Sequence, residues 1–323
     1  MNRSEKKEKS ISRELIFLQP YFQHTVWGGT KLRELYGYDE PGDDIGECWG
    51  ISAHPHGDCE VVSGPFMGCH LSKLWSDHRE LFGDIPGDAF PLLTKIISAQ
   101  SDLSIQVHPD DDYASDHETG TLGKTECWYI LDVEPGSQLV AGHNAKTREE
   151  LCDMIDGGRW DELIRRIDIA PGDFIQIEPG TVHAICGGVT LLETQENSDI
   201  TYRIYDYDRI VDGKPRELHL QQAKDVITVP SRDVASMVIH DDPSEDVIRL
   251  ISCKEYEVYR INCHDNLGVE FDRVFMLMSV VEGSGEIDGC SVKKGDHFIV
   301  PSGYGLLSLT GEIKIIASCL PVQ

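Results

Sequence analysis

Three separated pieces of this chain carry side chains that could hold a divalent metal. In the first, Leu103-Ser104-Ile105-Gln106-Val107-His108, Gln106 and His108 lie two residues apart, and a strand projects such a pair from one face. The second, Gly123-Lys124-Thr125-Glu126-Cys127-Trp128, sets a carboxylate at the start of an apolar, β-prone run. The third runs from Gly172-Asp173 through a short strand to Glu178-Pro179-Gly180-Thr181-Val182-His183. It reads as turn, strand, Pro-Gly turn and a histidine entering the next strand. Two imidazoles, one carboxylate and one amide oxygen suit a divalent transition metal, and these ligands alone admit zinc, manganese, iron, nickel or cobalt. Four protein ligands leave room for water or a substrate oxygen, as Lewis-acid chemistry requires. The plainer reading, in which the histidines cap loops and Glu126 is solvated, is opposed by the agreement of three separately spaced pieces.

These residues need strands to hold them. From Phe90 to Val107 the sequence is apolar and β-branched, with Lys95 as a lone charge, and a lysine in such a run ordinarily snorkels to the surface. Thr190 to Thr194 and Thr201 to Tyr205 read as two further strands. Each carries one charge among apolar neighbours, Glu193 and Arg203, which must find a polar cavity or a partner. The spacing of Leu71, Leu74, Trp75, Leu81 and Phe82 predicts a helix over 71–83. Thr147 as cap and Glu149 and Glu150 in the first turn predict helix over 147–166, broken in two at Gly157-Gly158. The segment between His108 and Glu126 reads as a polar loop at the mouth of the barrel, where binding groups gather. Gly123-Lys124-Thr125 is no nucleotide loop: position 118 is Glu, and a strand follows where a nucleotide loop opens a helix. His54 and His56 have the spacing of a metal pair, but Pro55 and Gly57 make their segment a turn, so ordinary loop polarity is expected.

The three pieces resemble the two motifs of the cupin superfamily. The narrower wording resembles type I mannose-6-phosphate isomerases, in their short bacterial form, from about residue 15 onward. It comprises residues 103–110, Gly123-Lys124-Thr125-Glu126, residues 178–184, Ser198 to Arg209, Val26-Trp27-Gly28-Gly29 and Ile45-Gly46-Glu47-Cys48-Trp49. The resemblance implies a mainly β fold of two cupin-type jelly-roll β-barrels with a few inserted helices. It implies one zinc per chain on Gln106, His108, Glu126 and His183, and interconversion of mannose 6-phosphate and fructose 6-phosphate through an enediol. Arg203 matches the family's active-site arginine, and Glu193 is the candidate for proton transfer. Lys124 is a further catalytic candidate and, with Ser104, would bind phosphate or sugar hydroxyls, joined by Lys95, whose stretch faces the substrate cleft in that family. The ligand set alone would also permit a cupin oxygenase or epimerase, or a sugar-binding cupin without turnover. Lys124 and Arg203 favour an anionic polyol over dioxygen chemistry, and fold alone does not fix function.

The 323 residues suffice for a full core. Their balance of 56 acidic against 29 basic residues gives a net charge of -27. Nucleic acid and anionic membrane are thereby excluded as broad electrostatic partners, and an anionic sugar phosphate would need a local basic pocket. No stretch is apolar enough to span a membrane. The charged residues 1–13 lead into no signal-peptide core and read as a solvated tail of a cytoplasmic protein. Ten scattered cysteines show no paired spacing and read as reduced, mostly buried thiols. The composition turns acidic and turn-rich near Asp241-Asp242-Pro243, dividing the chain into a catalytic domain over 14–235 and a second jelly roll over 236–323. The second repeats the Gly-Asp turn, strand and Pro-x-Gly phrasing around Gly295 and Pro301, but continues Tyr304-Gly305 where a metal-binding copy would offer histidine. His297 is therefore expected to be structural. A monomer or a homodimer fits equally well.

Overall fold

The computed structural model describes residues 14–118, 122–211, 213–242 and 244–322; the expected tail over 1–13 lies outside them. Three antiparallel sheets carry the chain. The first has seven strands in the order Ile239–His240, Asp173–Ile177, Glu126–Val133, Val189–Glu196, Leu92–Ser98, Ile45–Ile51 and Tyr21–Gly29. The second has five, in the order Ile164–Asp168, Gln138–His143, His183–Ile185, Ile105–Val107 and Tyr202–Tyr205. Between these two lies an apolar layer that includes Ile97, Trp128, Ile130, Leu139, Ile175, Ile185 and Leu191. The arrangement is a jelly roll of the cupin kind, mainly β with short helices on its flanks.

The third sheet has eight strands and is built mainly from Val247–Ser252, Glu257–Val269, Met276–Ile287, His297–Val300 and Leu307–Cys319. Two segments cross the division expected near residue 236. Ile16–Gln19 pairs with His297–Val300 in the third sheet, and Ile239–His240 pairs with Asp173 and Phe174 in the first. A second apolar layer, with Cys48, Ile96, Cys127, Tyr129 and Leu192 facing Tyr256, Phe275, Leu277 and Ile316, joins the first sheet to the third. The central strands of the first sheet are therefore covered on both faces: every residue of Leu92–Ser98 and Val189–Glu196 is buried. That explains the adjacent apolar residues Leu92-Leu93, Ile96-Ile97 and Leu191-Leu192, where a half-exposed strand would alternate strictly with polar residues.

Three expectations need adjustment. The helix over 71–83 is an α-helix, Leu71–Asp77, then a 3-10 turn, Arg79–Phe82, because His78 between them (φ -133, ψ 54) leaves the helical region. The pattern over 147–166 yields Arg148–Asp156, capped by Thr147 Oγ1 accepting the Glu150 N–H, and a single turn Trp160–Leu163. Ile164 already belongs to a strand, where Ile164 packs against the flanking helices and Ile167, on the opposite face, packs into the layer between the sheets. The polar segment after His108 includes a helix, Asp111–His117, whose cap Asp110 accepts the Tyr113 N–H at 2.9 Å. Each of the ten cysteines is a free thiol, six of them buried. No helix among the described residues is long and apolar enough to cross a membrane.

Candidate metal centre and substrate cavity

Strand alternation places the site. In the first sheet Trp128 and Ile130 face the second sheet while Cys127 and Tyr129 face the third, so Glu126 shares the inward face of Trp128. The same parity turns Lys95 inward with Ile97 and Glu193 inward with Leu191. In the second sheet Ile105, Val107, Tyr202 and Ile204 point out to the flanking helices, leaving Gln106 and Arg203 to point in. His183 shares the inward side of Ile185. Register then brings the faces together: Glu193 stands opposite both Lys95 and Trp128, Gln195 opposite Glu126, and Gln106 opposite both His183 and Arg203.

At the meeting point His183 Nε2 lies 3.3 Å from Glu126 Oε1 and His108 Nε2 lies 3.5 Å from Glu126 Oε2. All three residues are fully buried. The other nitrogen of each ring fixes its tautomer. His108 Nδ1 is 2.7 Å from the Ile200 carbonyl oxygen and His183 Nδ1 is 2.9 Å from that of Thr181. A carbonyl only accepts, so both Nδ1 atoms carry the proton and both Nε2 lone pairs turn toward Glu126. Burial, reinforced by the neighbouring Lys124 charge, holds the His108 pKa well below the usual imidazole range, and burial pushes His183 down to about 4. Both rings are thus neutral ligands at physiological pH. Glu126 Oε1, buried, has no hydrogen-bond partner among the described residues. Gln106 lies beside the triad, its amide nitrogen 3.3 Å from His183 Nε2, and a half-turn of the amide would present its oxygen instead. Two neutral imidazole lone pairs, an orphaned carboxylate oxygen and an adjacent amide fit a divalent transition metal.

A cavity of about 340 Å³ neighbours this triad by way of Gln106 and Lys124, and its polar wall also includes Ser104, Lys95, Glu193 and Arg203. Lys124 connects the two. Its ammonium is 2.5 Å from Glu126 Oε2, 3.3 Å from His108 Nε2 and 3.8 Å from Glu193 Oε1. Lys95 does not snorkel: it is buried, 3.4 Å from Glu193 Oε1 and 3.3 Å from Glu47 Oε2, over the Trp49 ring. Glu193 Oε2 accepts the Trp128 indole N–H at 2.9 Å. Burial raises the pKa of a carboxyl there, but Lys124, Lys95 and the indole outweigh it and hold Glu193 ionised. Glu126 shifts the other way, upward, through burial and the Glu193 charge. Arg203 Nη1 donates to the Glu217 carbonyl at 3.0 Å, while its buried Nε finds no partner among the described residues. Ser104 Oγ, 3.5 Å from Gln106 Oε1, completes that side.

Every site residue expected from the sequence therefore lies at the triad or on the cavity wall. Among the lining residues that had no assigned role are Glu47, Trp49, Asp199 and Arg216. Glu47 and Trp49 lie in a stretch already distinctive as sequence, and the Trp49 indole donates to Glu47 at 2.6 Å. Arg216 grips the buried Asp206 through two nitrogens, a pairing between residues ten apart that nothing in the local pattern announces. His297 lies in the third sheet. It is buried between Ser279 Oγ at 2.8 Å and Tyr38 OH at 3.2 Å, and the second region holds no metal-ligand cluster among the described residues.

A jelly roll with a buried His, Glu, His cluster beside a polar cavity defines a cupin with a candidate metal-binding site. The comparisons narrow this. The sequence pattern of the phosphomannose isomerase type I catalytic domain matches residues 15–130, and that of the mannose-6-phosphate isomerase cupin domain matches residues 247–320. The chain is 48% identical to mannose-6-phosphate isomerase ManA of Bacillus subtilis, over 96% of its own length and 100% of that protein's. It is 42% identical to a Streptococcus mutans mannose-6-phosphate isomerase over 94% of its length and 98% of the relative's. A crystal structure of the Bacillus subtilis mannose 6-phosphate isomerase superposes with a TM-score of 0.88 at 44% identity, covering 95% of this chain and 99% of that one. The chain belongs to the type I phosphomannose isomerase family.

Proposed function

We propose that the protein is a zinc-dependent aldose-ketose isomerase that interconverts mannose 6-phosphate and fructose 6-phosphate through an enediol, with one zinc per chain on Gln106, His108, Glu126 and His183. The observation that carries this reading is the His108–Glu126–His183 cluster, both imidazoles neutral, joined through Lys124 and Gln106 to a cavity whose wall includes two ammonium groups, two guanidinium groups and the ionised Glu193. Bound zinc would polarise the substrate oxygens at carbons 1 and 2.

The chain's own residues supply the rest. Isomerisation needs a base to take the proton from carbon 2 and return it to carbon 1, while a hydroxyl proton moves between the two oxygens. Glu193 is that base: it is ionised, it faces the cavity, and its Oε1 is free of hydrogen bonds among the described residues. Lys124 and Lys95 flank that oxygen and place positive charge where the enediolate develops, in a site too buried for water to screen it. Arg203 and Arg216, across the cavity from the lysines' strands, form a cationic wall for phosphate, with Ser104 donating to a sugar oxygen. Such a pocket is needed because the rest of the chain repels anions.

The test is turnover of mannose 6-phosphate to fructose 6-phosphate before chelation, after it and with zinc restored, beside His183→Ala. Loss on chelation, recovery with zinc and inactivity of the variant are expected. No turnover by folded, metal-loaded protein would overturn the reading.

A further inference from the structure

The turn carrying His54 and His56 has no part in the reaction described above, yet it reaches the cavity. Both imidazoles converge on Asp199, which lines that cavity: His56 Nδ1 is 2.6 Å from Oδ2 and His54 Nε2 is 3.6 Å from Oδ1. By residue type this is a cation site, and its candidate ligand atoms all lie within 4.8 Å of one another. The hydrogen bonding argues otherwise. His54 Nδ1 lies 3.2 Å from the backbone nitrogen of His56, a group that only donates, so Nδ1 is the acceptor and the ring proton sits on Nε2. His54 is buried, its backbone N–H donates to Ser52 Oγ, and its ring packs edge-on against Trp49, itself on the cavity wall. Its Nε2 therefore carries a proton on the side of Asp199, where a metal would need a lone pair.

We propose that His54 and His56 are positioning residues. They clamp the Asp199 carboxylate at the cavity rim, where it accepts a hydroxyl of the sugar, so that a turn remote in sequence sets how tightly the polyol is held. This deepens the isomerase reading and rests on it. The clamp is an asymmetric pair: His54 is buried against Trp49 and supplies a longer ion-pair contact, while His56 is exposed and supplies the short bond. Asp199 needs such support because it precedes Ile200 in an irregular segment, and the Ile200 carbonyl is committed to His108.

Steady-state kinetics on the zinc-loaded protein test this with His56→Ala, His56→Asn, His54→Gln, Asp199→Asn and the double variant His56→Ala/Asp199→Asn. Loss of a hydrogen bond to a charged group predicts about a fivefold or larger rise in KM in His56→Ala, with kcat changed less than twofold. Much of that rise should be recovered in His56→Asn, whose amide still donates. The double variant should be no worse than Asp199→Asn alone, since the histidine acts through that carboxylate. The clamp is overturned by an unchanged KM in His56→Ala and His54→Gln, by effects that add in full to those of Asp199→Asn, or by loss of bound zinc and thermal stability without a change in KM. A second zinc per chain that disappears in His56→Ala overturns it in favour of a cation site. If the wild-type protein binds mannose 6-phosphate without turning it over, the isomerase reading fails, and the same comparison is made on dissociation constants.

Discussion

Glu193 and Lys95 stand directly opposite each other on neighbouring strands, and Glu193 Oε1 lies 3.4 Å from the Lys95 ammonium. Both are buried. The pair is therefore held by sheet register, and Lys95 also keeps Glu193 ionised against the cost of burial.

Replacing Lys95 by methionine keeps the stem's packing and removes the charge. The Glu193 pKa should then rise toward the usual carboxylate range, because one of the two ammonium groups that depress it is gone. A pH profile of kcat/KM should show its acid limb moved to higher pH, and activity at the optimum should fall about 100-fold through loss of charge stabilisation. An unmoved acid limb would separate Lys95 from Glu193.

His183 titrates in the folded protein at about 4, below its ordinary value of 6.5, because burial disfavours the charged ring. The unfolded chain therefore binds the extra proton first, and stability owed to this group is complete above about pH 6.5 and lost as pH falls toward 4. Glu126, shifted upward, works in the opposite sense, so the effect belongs to a difference. Relative to His183→Gln, the metal-free wild-type protein should lose stability between pH 6.5 and 4 in denaturant titrations. A constant difference across that window would contradict the assignment.

Arg203→Lys retains the charge but loses the fork that reaches both the cavity and the Glu217 carbonyl. KM for the phosphorylated sugar should rise about tenfold, the cost of one charge-assisted hydrogen bond. Binding of unphosphorylated mannose, measured calorimetrically, should change little. Equal losses for both sugars would move the phosphate away from this wall.

Gly50 lies where the first sheet meets the third, and a Cβ there would fall 2.3 Å from two atoms of the His297 ring. Hydrogen bonds to Ser279 and Tyr38 prevent that ring from yielding. Gly50→Ala should cost about 1–3 kcal/mol of stability by overpacking, seen as a lower denaturant midpoint, while KM of the folded protein stays near the wild-type value. An unchanged midpoint would mean the interface is softer than its packing implies.

The triad was legible because each ligand sits in a motif with its own turn chemistry, and Pro179-Gly180 before His183 is one such case. Lys95 and Glu193 could be marked as isolated charges in apolar runs, but their pairing could not, since register across strands nearly a hundred residues apart has no local signature. Arg216 and Asp199 were missed for a related reason: each becomes significant only through a partner brought in from elsewhere, Asp206 for one and the His54–His56 turn for the other. Helix ends were misjudged at His78 and Ile164, where the local hydrophobic period continues but tertiary packing changes the backbone. The exchange of Ile16–Gln19 and Ile239–His240 between sheets is likewise written only in their pairing.

The doubly covered sheet has a consequence for how this protein can vary. Lys95, Glu126 and Glu193 each alternate along their strands with residues that face the third sheet: Ile96, Cys127 and Leu192. A change of volume at any of these three is felt one residue away by a charged group whose distances are set to a few tenths of an ångström. The floor of the site is thus mechanically tied to a region that carries none of its chemistry, whereas the rim, built from turns such as the one bearing His54 and His56, carries no such constraint. Divergence in substrate preference, natural or engineered, has its freedom at the rim, and a redesign that starts from the floor must repack two layers at once.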